Sequence, residues 1–288
     1  MDNDLGCPQV KKSKFDNNPL EEFRVKEAPA TAFYFPNYLT QDEHDALLQN
    51  VYDSPKPRWK QMSNRRLQNW GGYPHPKGMV SEDLPKWLSD ECEKLLKSEV
   101  TEGKKPNHVL VNEYEPGQGL LPHLDGPLFY PVICTINLGG PALLQFYKEQ
   151  NLDKSVGGLL LEPRSLVVLK DSLYTEFHHG IEATRADVMM NVWNLGSTTF
   201  KDEKIEIVER NSTRVSLTIR HVPKVLNVKL VGGRFVNLMF ERASVENDFG
   251  VRLFSAIIPA FLPLMHIWLT VKFVWPEHVL EIDKNDCS

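Results

Sequence analysis

Apolar positions along this chain follow two different periods, and the change between them falls near residue 108. Upstream the spacing is helical. In "TQDEHDALLQNVYDSP", Leu47, Leu48 and Val51 make one stripe, and Thr40 with Glu43 forms a T-x-x-E capping box at its start. A second amphipathic segment runs from Glu82 to Ser98, with Trp87, Leu88, Cys92, Leu95 and Leu96 on one face. Pro85 falls in its first turn, where proline is tolerated. A short strand, "TAFYF", precedes the first helix. Residues 56–79, "KPRWKQMSNRRLQNWGGYPHPKGM", keep neither period and read as a loop rich in Gly, Pro, Arg and Trp.

From His108 the texture is that of β-structure. "HVLVNEY", "PVICTINLG", "ALLQFY", "GGLLLEP", "SLVVLK", "IEIVE" and "RVSLTIRHV" are short and are separated by Gly, Pro, Asp or Asn. Two helices followed by such a series predict a mainly β fold. The expected form is a double-stranded β-helix, or jelly roll, buttressed on one face by N-terminal helices. Residues 1–24 read as a flexible polar arm, 25–224 as the folded domain, and 225–288 as an extension. That extension contains "LFSAIIPAFLPLMHIWLTVKFVW" at 253–275, in which His266 is the sole ionisable group before Lys272. The segment reaches the lower length for a membrane span. Pro259 and Pro263 weaken it as a soluble helix, less so as a membrane one, and an apolar docking segment, or sequence outside the folded domain's plan, is preferred to membrane association.

Composition narrows the function classes. At 288 residues, 41% hydrophobic and 25% charged, the chain suits one large domain or two small ones. A net charge of −5 excludes a global basic field for nucleic acid or anionic membranes and leaves room for a local patch. The four cysteines, Cys7, Cys92, Cys134 and Cys287, are scattered without a C-x-x-C, which argues against a zinc ribbon or a disulfide framework. The scattered cysteines fit a reducing compartment, and the polar N-terminal stretch has no signal-peptide pattern; the expected location is cytoplasm and nucleus, and the expected state is a monomer.

The strand "RVSLTIR" introduces chemistry. Arg214, Ser216, Thr218 and Arg220 share one face, and Val215, Leu217 and Ile219 the other. If the apolar face packs on a core, the opposite face places two guanidinium groups inside the barrel, where each needs an anionic partner. Their backbones lie about 20 Å apart, at about 3.3 Å per residue. With a reach of about 6 Å each, a gap of roughly 8 Å remains between the heads. A short dicarboxylic acid fills such a gap, one carboxylate to each fork. The alternative is an edge strand with solvated arginines.

"LLPHLDG" supplies His123 and Asp125 at i and i+2, and "YTEFHHGIEA" supplies His178 and His179. Any of these alone is an ordinary core or surface residue. Two histidines and a carboxylate on one face of a metal form the facial set of non-haem Fe(II) oxygenases, with zinc as the alternative metal for the same ligand types. Adjacent residues of a strand point opposite ways, so periodicity does not choose between His178 and His179.

On "NEYEPGQGLLPHLDG", "LLLEPRSLVVL", "HHGI", "TRVSLTIRHVPKVL" and the loop "RRLQNWGGYPHPKGM", the sequence resembles the AlkB-type Fe(II)- and 2-oxoglutarate-dependent dioxygenases over roughly residues 20–232. The resemblance implies His123, Asp125 and His179 as metal and catalytic residues, His179 being chosen because the family's ligand directly precedes Gly-Ile. It implies 2-oxoglutarate contacts from Asn112 and Tyr114, with Arg214 on the distal carboxylate and Arg220 near the carboxylate that chelates iron. Ser216 stands where the bacterial founder has asparagine. The implied cofactors are Fe(2+) and 2-oxoglutarate with O2 as co-substrate, and the implied chemistry is hydroxylation of a C–H bond, commonly an N-methyl group lost as formaldehyde.

For the substrate, residues 56–79 read as a lid. Lys56, Arg58, Lys60, Arg65, Arg66 and Lys77 alternate with Trp59, Trp70 and Tyr73, the mixture of charge and aromatic faces suited to nucleic acid. Arg65, Arg66, Trp70, Tyr73 and Tyr130 are the candidate substrate residues. The favoured partner is methylated nucleic acid. A dioxygenase acting on protein or a small molecule, and a non-catalytic protein retaining the fold, are the alternatives.

Overall fold

The computed structural model describes residues 20–75, 77–200 and 205–226. Most of the expected N-terminal arm and the apolar segment 253–275 lie outside these residues. Among the described residues no helix is long and apolar enough to cross a membrane.

In chain order the strands begin with β1 (Ala32–Phe35), β2 (Lys60–Gln61), β3 (Arg66–Trp70), β4 (Gly72–His75), β5 (Gly78–Ser81), β6 (His108–Tyr114), β7 (Leu120–His123) and β8 (Val132–Gly139). They continue with β9 (Ala142–Lys148), β10 (Gly157–Leu161), β11 (Leu166–Lys170), β12 (Phe177–Ile181), β13 (Ala186–Val188), β14 (Ile207–Glu209), β15 (Arg214–Arg220) and β16 (Val225–Leu226). The helices are α1 (Gln41–Tyr52), α2 (Lys86–Lys97) and the single turn α3 (Ser172–Thr175). A seven-stranded sheet, in the order β1-β11-β8-β15-β6-β3-β2, faces a four-stranded sheet, β10-β9-β12-β7. This is the expected jelly roll.

Two apolar clusters show how the layers stack. Val109, Val111, Cys134, Ile136, Val215, Leu217 and Ile219 on one face of the large sheet pack with Leu47, Val51, Leu88, Cys92 and Leu95 of the two helices. Tyr34, Val167 and Leu169 on its other face pack with Leu144, Phe146, Leu159, Leu161, Phe177 and Ile181 of the small sheet. Strand alternation explains the division, since Val215, Leu217 and Ile219 turn to the helices and the even-numbered neighbours turn inward. Helix α1 is capped as its sequence predicts, with the Thr40 side chain and Glu43 bonding reciprocally. Helix α2 starts at Lys86 rather than Glu82, because Pro85 holds Leu84 out of helical conformation and itself becomes the N-cap residue.

Residues 56–79 are not a loop. They hold a short 3-10 turn and all of β2, β3 and β4, and β3 is hydrogen-bonded along its length to β6. The strand was hidden because a polar residue on its helix-facing side, Gln68, is buried with partners. Buried Gln68 donates to Val51 O at 2.9 Å and accepts from the Trp70 indole N–H at 2.9 Å. Gly71 turns the chain at φ +87°, and a Cβ there would lie 2.1 Å from Asn107 O. The expected arm ends earlier than residue 24, because Phe23 stacks on Phe35 at 4.3 Å and Arg24 bridges to Phe33. Pairing also continues past residue 224, where β16 lies parallel to β5.

Candidate active site

The inward face of the large sheet is a polar ladder in an apolar barrel. On β15, Arg214, Ser216, Thr218 and Arg220 stand in register with Tyr114, Asn112, Leu110 and His108 of β6. On the other side, Ser216 stands beside Asn137 and Thr218 beside Thr135 of β8. Asn112, Tyr114, Arg214, Ser216 and Arg220 are all buried, so the five residues expected to hold a co-substrate lie together on one face.

The two arginines differ in what they already hold. Arg220 Nη2 donates to Asp125 Oδ1 at 2.8 Å, and both side chains are 7% exposed. Its guanidinium also lies over the Phe129 ring, 4.7 Å from the centroid. The anion expected for Arg220 is therefore Asp125 itself. Arg214 has only neutral partners. Its Nη2 donates to Asn137 Oδ1 at 2.7 Å and its Nη1 to Ser216 Oγ at 3.3 Å, with the Tyr114 ring 5.5 Å away. Its Nε has no acceptor. Burial pushes the Arg214 guanidinium down to about 10, against the pull of the Tyr114 phenol. Asn137, which sequence reasoning missed, supplies a carboxamide from the neighbouring strand beside Ser216.

His123, Asp125 and His179 offer ligand atoms that all lie within 4.8 Å of one another. Two local features bring them together. The pairing of β7 with β12 shifts between the His123–His179 and Leu120–Ile181 pairs, which sets three steps of β7 against two of β12. This bulge turns both Leu120 and His123 inward, leaves Leu121 79% exposed, and re-aims the histidine. Gly180 then lets the bulged strand come close, since a Cβ there would sit 2.8 Å from Leu120 O. The His123 and His179 rings lie 4.5 Å apart, and Phe146 backs His179 at 6.4 Å. His178 instead pairs beside Tyr147, and strand alternation turns it to the opposite face. The structure thus separates the two adjacent histidines that periodicity left open.

The electrostatics suit a cation. Burial lowers the proton affinity of His123, and it pushes His179 down to about 4. Burial alone would raise Asp125, but Arg220, followed by His179 and His123, holds its carboxyl below the usual range. Two neutral imidazoles and one carboxylate result. With Oδ1 engaged by Arg220, the buried Asp125 Oδ2 has no partner. That orphaned oxygen and the donor set fit a bound divalent metal.

The loop after Asp125 is strapped by Tyr174, whose hydroxyl donates to Gly126 O at 2.5 Å. Phe129 lies between Arg220 and His108, the latter ring 5.5 Å away. The His108 Nε2 proton is shared with Asn69 Oδ1 at 2.8 Å. Tyr174, Phe129, His108 and Asn69 carried no sequence signal, because their spacing matches no motif and the fold alone assembles them.

The candidate substrate residues are dispersed. Trp70 is 7% exposed, packs edge-on to Trp87 and lies under the Arg58 guanidinium at 4.4 Å, so it is a core residue with no face for a base. Arg66 lies on the helix side of the sheet. It is held by Glu113 through bonds of 2.5 and 2.9 Å and lies over Trp59 at 4.1 Å. Arg58 is likewise neutralised by Glu82. Tyr130 packs against the helix-side cluster and donates to Glu102 at 2.8 Å, so it does not line the barrel. Tyr73 is 53% exposed, and Arg65 is bonded to Asn112 at 3.1 Å. The expected basic and aromatic lid is therefore mostly a set of ion-paired clasps.

Comparison with known proteins follows the same lines. The sequence profile of the "2OG-Fe(II) oxygenase superfamily" matches residues 31–220. A Danio rerio protein described as "Probable RNA/DNA demethylase ALKBH6" is 44% identical over 226 residues, which cover 75% of this chain and 95% of that protein. "Uncharacterized protein L905" of Acanthamoeba polyphaga mimivirus is 28% identical over 194 residues, covering 65% of this chain and 83% of the viral one. The Xenopus tropicalis "tRNA (carboxymethyluridine(34)-5-O)-methyltransferase alkbh8" is 27% identical over 217 residues, 70% of this chain but 34% of that longer protein.

Proposed function

This chain belongs to the 2OG-Fe(II) oxygenase superfamily, within its AlkB-type branch, and from that premise we propose that it removes N-methyl groups from nucleic acid by oxidation. The observation that carries the reading is the pairing of the His123, Asp125 and His179 cluster with a buried Arg214 that has no anion. In this reading the two neutral imidazoles and the Asp125 carboxylate would hold iron(II), Arg220 taking Asp125 Oδ1 and leaving Oδ2 free as the donor atom. Arg214 receives the distal carboxylate of 2-oxoglutarate. Asn112 and Tyr114 flank the co-substrate, and Ser216 with Asn137 fixes the Arg214 fork. When bound, iron(II) and 2-oxoglutarate together activate O2 and supply the oxidant, 2-oxoglutarate leaving as succinate and CO2. The product is a hydroxymethyl amine, which breaks down to the demethylated amine and formaldehyde.

The buried floor of this site keeps water away from the reacting centre, because Phe146, Ile181 and Leu144 close the barrel beneath His179. The nucleic-acid part of the proposal rests on the demethylase description of the zebrafish relative and on the exposed aromatic ring of Tyr73 on β4. Incubation with Fe(II), 2-oxoglutarate and O2, with mass spectrometry of methylated oligonucleotides and methylated peptides in parallel, tests it. Loss of 14 mass units (about 14 Da per methyl, from covalent composition) from oligonucleotides alone supports it. Loss from peptides alone replaces nucleic acid by protein, and failure to turn over 2-oxoglutarate under any condition removes the enzymatic reading.

A further inference from the structure

Arg65 occupies a place that the substrate reading does not explain. The turn between β2 and β3 closes with Met62 N–H donating to Arg65 O at 2.9 Å, and it delivers the Arg65 side chain over the start of the inward face. Arg65 Nε donates to Asn112 Oδ1 at 3.1 Å. A guanidinium has donors and no acceptor, so this bond fixes the Asn112 carboxamide one way round. The reversed amide would set N–H against N–H. With Oδ1 taken by Arg65, Asn112 presents its NH2 end to the interior, beside Ser216 in register and one rung from Arg214.

We propose that Arg65 is a positioning residue that orients Asn112 to donate to an anionic, acceptor-rich co-substrate, rather than a contact for nucleic acid. This rests on the 2-oxoglutarate reading above. Without Arg65 the amide can turn over and present a carbonyl oxygen to a dicarboxylate, which repels it. The charge of Arg65 is also felt at Tyr114, so the side chain overlooks the same pocket. The consequence is a residue that acts on co-substrate affinity through Asn112 and leaves the metal set alone.

The test is calorimetric titration of 2-oxoglutarate into the oxygen-free, Mn(II)-loaded full chain. Arg65→Ala should weaken 2-oxoglutarate about tenfold, the typical worth of a charge-assisted hydrogen bond. Mn(II) binding should be unchanged, and the thermal midpoint should fall by only about 2–4 °C for the one lost bond. In steady-state assays the KM for 2-oxoglutarate should rise with little change in kcat. A double-mutant cycle supplies the readout that a general structural role would not move. In an Asn112→Ala background, Arg65→Ala should have no further effect. Additive losses would overturn the proposal, as would unchanged 2-oxoglutarate affinity with weakened oligonucleotide binding. If the wild type itself binds no 2-oxoglutarate, the functional reading falls and takes this one with it. Wild-type binding that survives Arg65→Ala overturns this one alone.

Discussion

Arg214→Met separates a structural arginine from one kept for a ligand. In the ligand-free protein Arg214 is buried against neutral partners, and its proton affinity falls well below that of a free guanidinium, to about 10. That shift corresponds to roughly 3 kcal/mol working against the charged, folded form. Methionine removes this cost and keeps most of the side-chain volume. It also strands Asn137 Oδ1, whose bond to Arg214 is 2.7 Å, at a cost of about 1–3 kcal/mol. The two nearly cancel, so metal-free Arg214→Met should unfold in urea within about 2 kcal/mol of the wild type. Co-substrate binding should respond very differently. Truncating one side of a buried charge pair costs about 2–5 kcal/mol, so calorimetry on the Mn(II)-loaded variant should show 2-oxoglutarate weakened by more than about thirtyfold. A variant destabilised by more than about 4 kcal/mol that still binds 2-oxoglutarate normally would refute the reasoning. It would mean that the cation is balanced inside the fold and does not wait for a ligand.

Other perturbations read different parts of the site. Asp125→Ala strands Arg220 in a pair whose members are each 7% exposed, and should destabilise the metal-free protein by about 3–5 kcal/mol. His123→Ala, at a side chain 36% exposed, should cost about 1 kcal/mol, yet both variants should lose Mn(II) binding by titration. Burial depresses His108 to about 3 and His179 to about 4, so the unfolded chain takes up protons near 6.5 while the folded chain does not. Their contribution to stability is complete above pH 6.5 and is lost as pH falls towards 4. At pH 5 each should cost about 2 kcal/mol relative to pH 7 in metal-free protein, and a loss below about 1 kcal/mol in total by urea denaturation would contradict their burial as neutral rings. Trp70→Ala should cost about 3–5 kcal/mol as a core truncation. Tyr73→Ala should stay within about 0.5 kcal/mol in stability while weakening methylated oligonucleotides, as measured by fluorescence anisotropy.

The sequence was most legible where a side chain's role follows from strand alternation. Val215, Leu217 and Ile219 against Arg214, Ser216 and Arg220 divide as alternation requires, and the division locates both the helix-side core and the inward ladder. It was least legible where alternation breaks or is disguised. The bulge that turns both Leu120 and His123 inward is a tertiary event, since one extra residue in β7 leaves no mark in composition. Strand β3 was read as loop because Gln68 is buried with backbone and indole partners, so polar residues occupy positions where a pattern search expects apolar ones. Resemblance selected His179 over His178, and the register of β12 gives the physical reason. His179 lies opposite His123, while His178 turns away beside Tyr147.

The dispersal of the expected lid follows from the same sheet. Residues 65 and 66 are adjacent, so the large sheet sends their guanidinium groups to opposite sides. Arg66 meets Glu113 and Trp59 on the helix side, while Arg65 meets Asn112 on the inward side. Adjacent β6 residues are divided in the same way, with Glu113 paired outward to Arg66 and Asn112 facing inward. Arg66–Glu113 and Arg58–Glu82 bind the 3-10 turn, β3 and the residue after β5 into one clasp, and each arginine also covers a tryptophan ring. The clasp uses the cations that a nucleic-acid lid would need. In return it fixes the hairpin from which Arg65 reaches Asn112. Charge in this stretch therefore acts first on the placement of the co-substrate face. Recognition of a nucleic-acid backbone would fall to cations with no ion-pair partner among the described residues, such as Lys56 and Lys60.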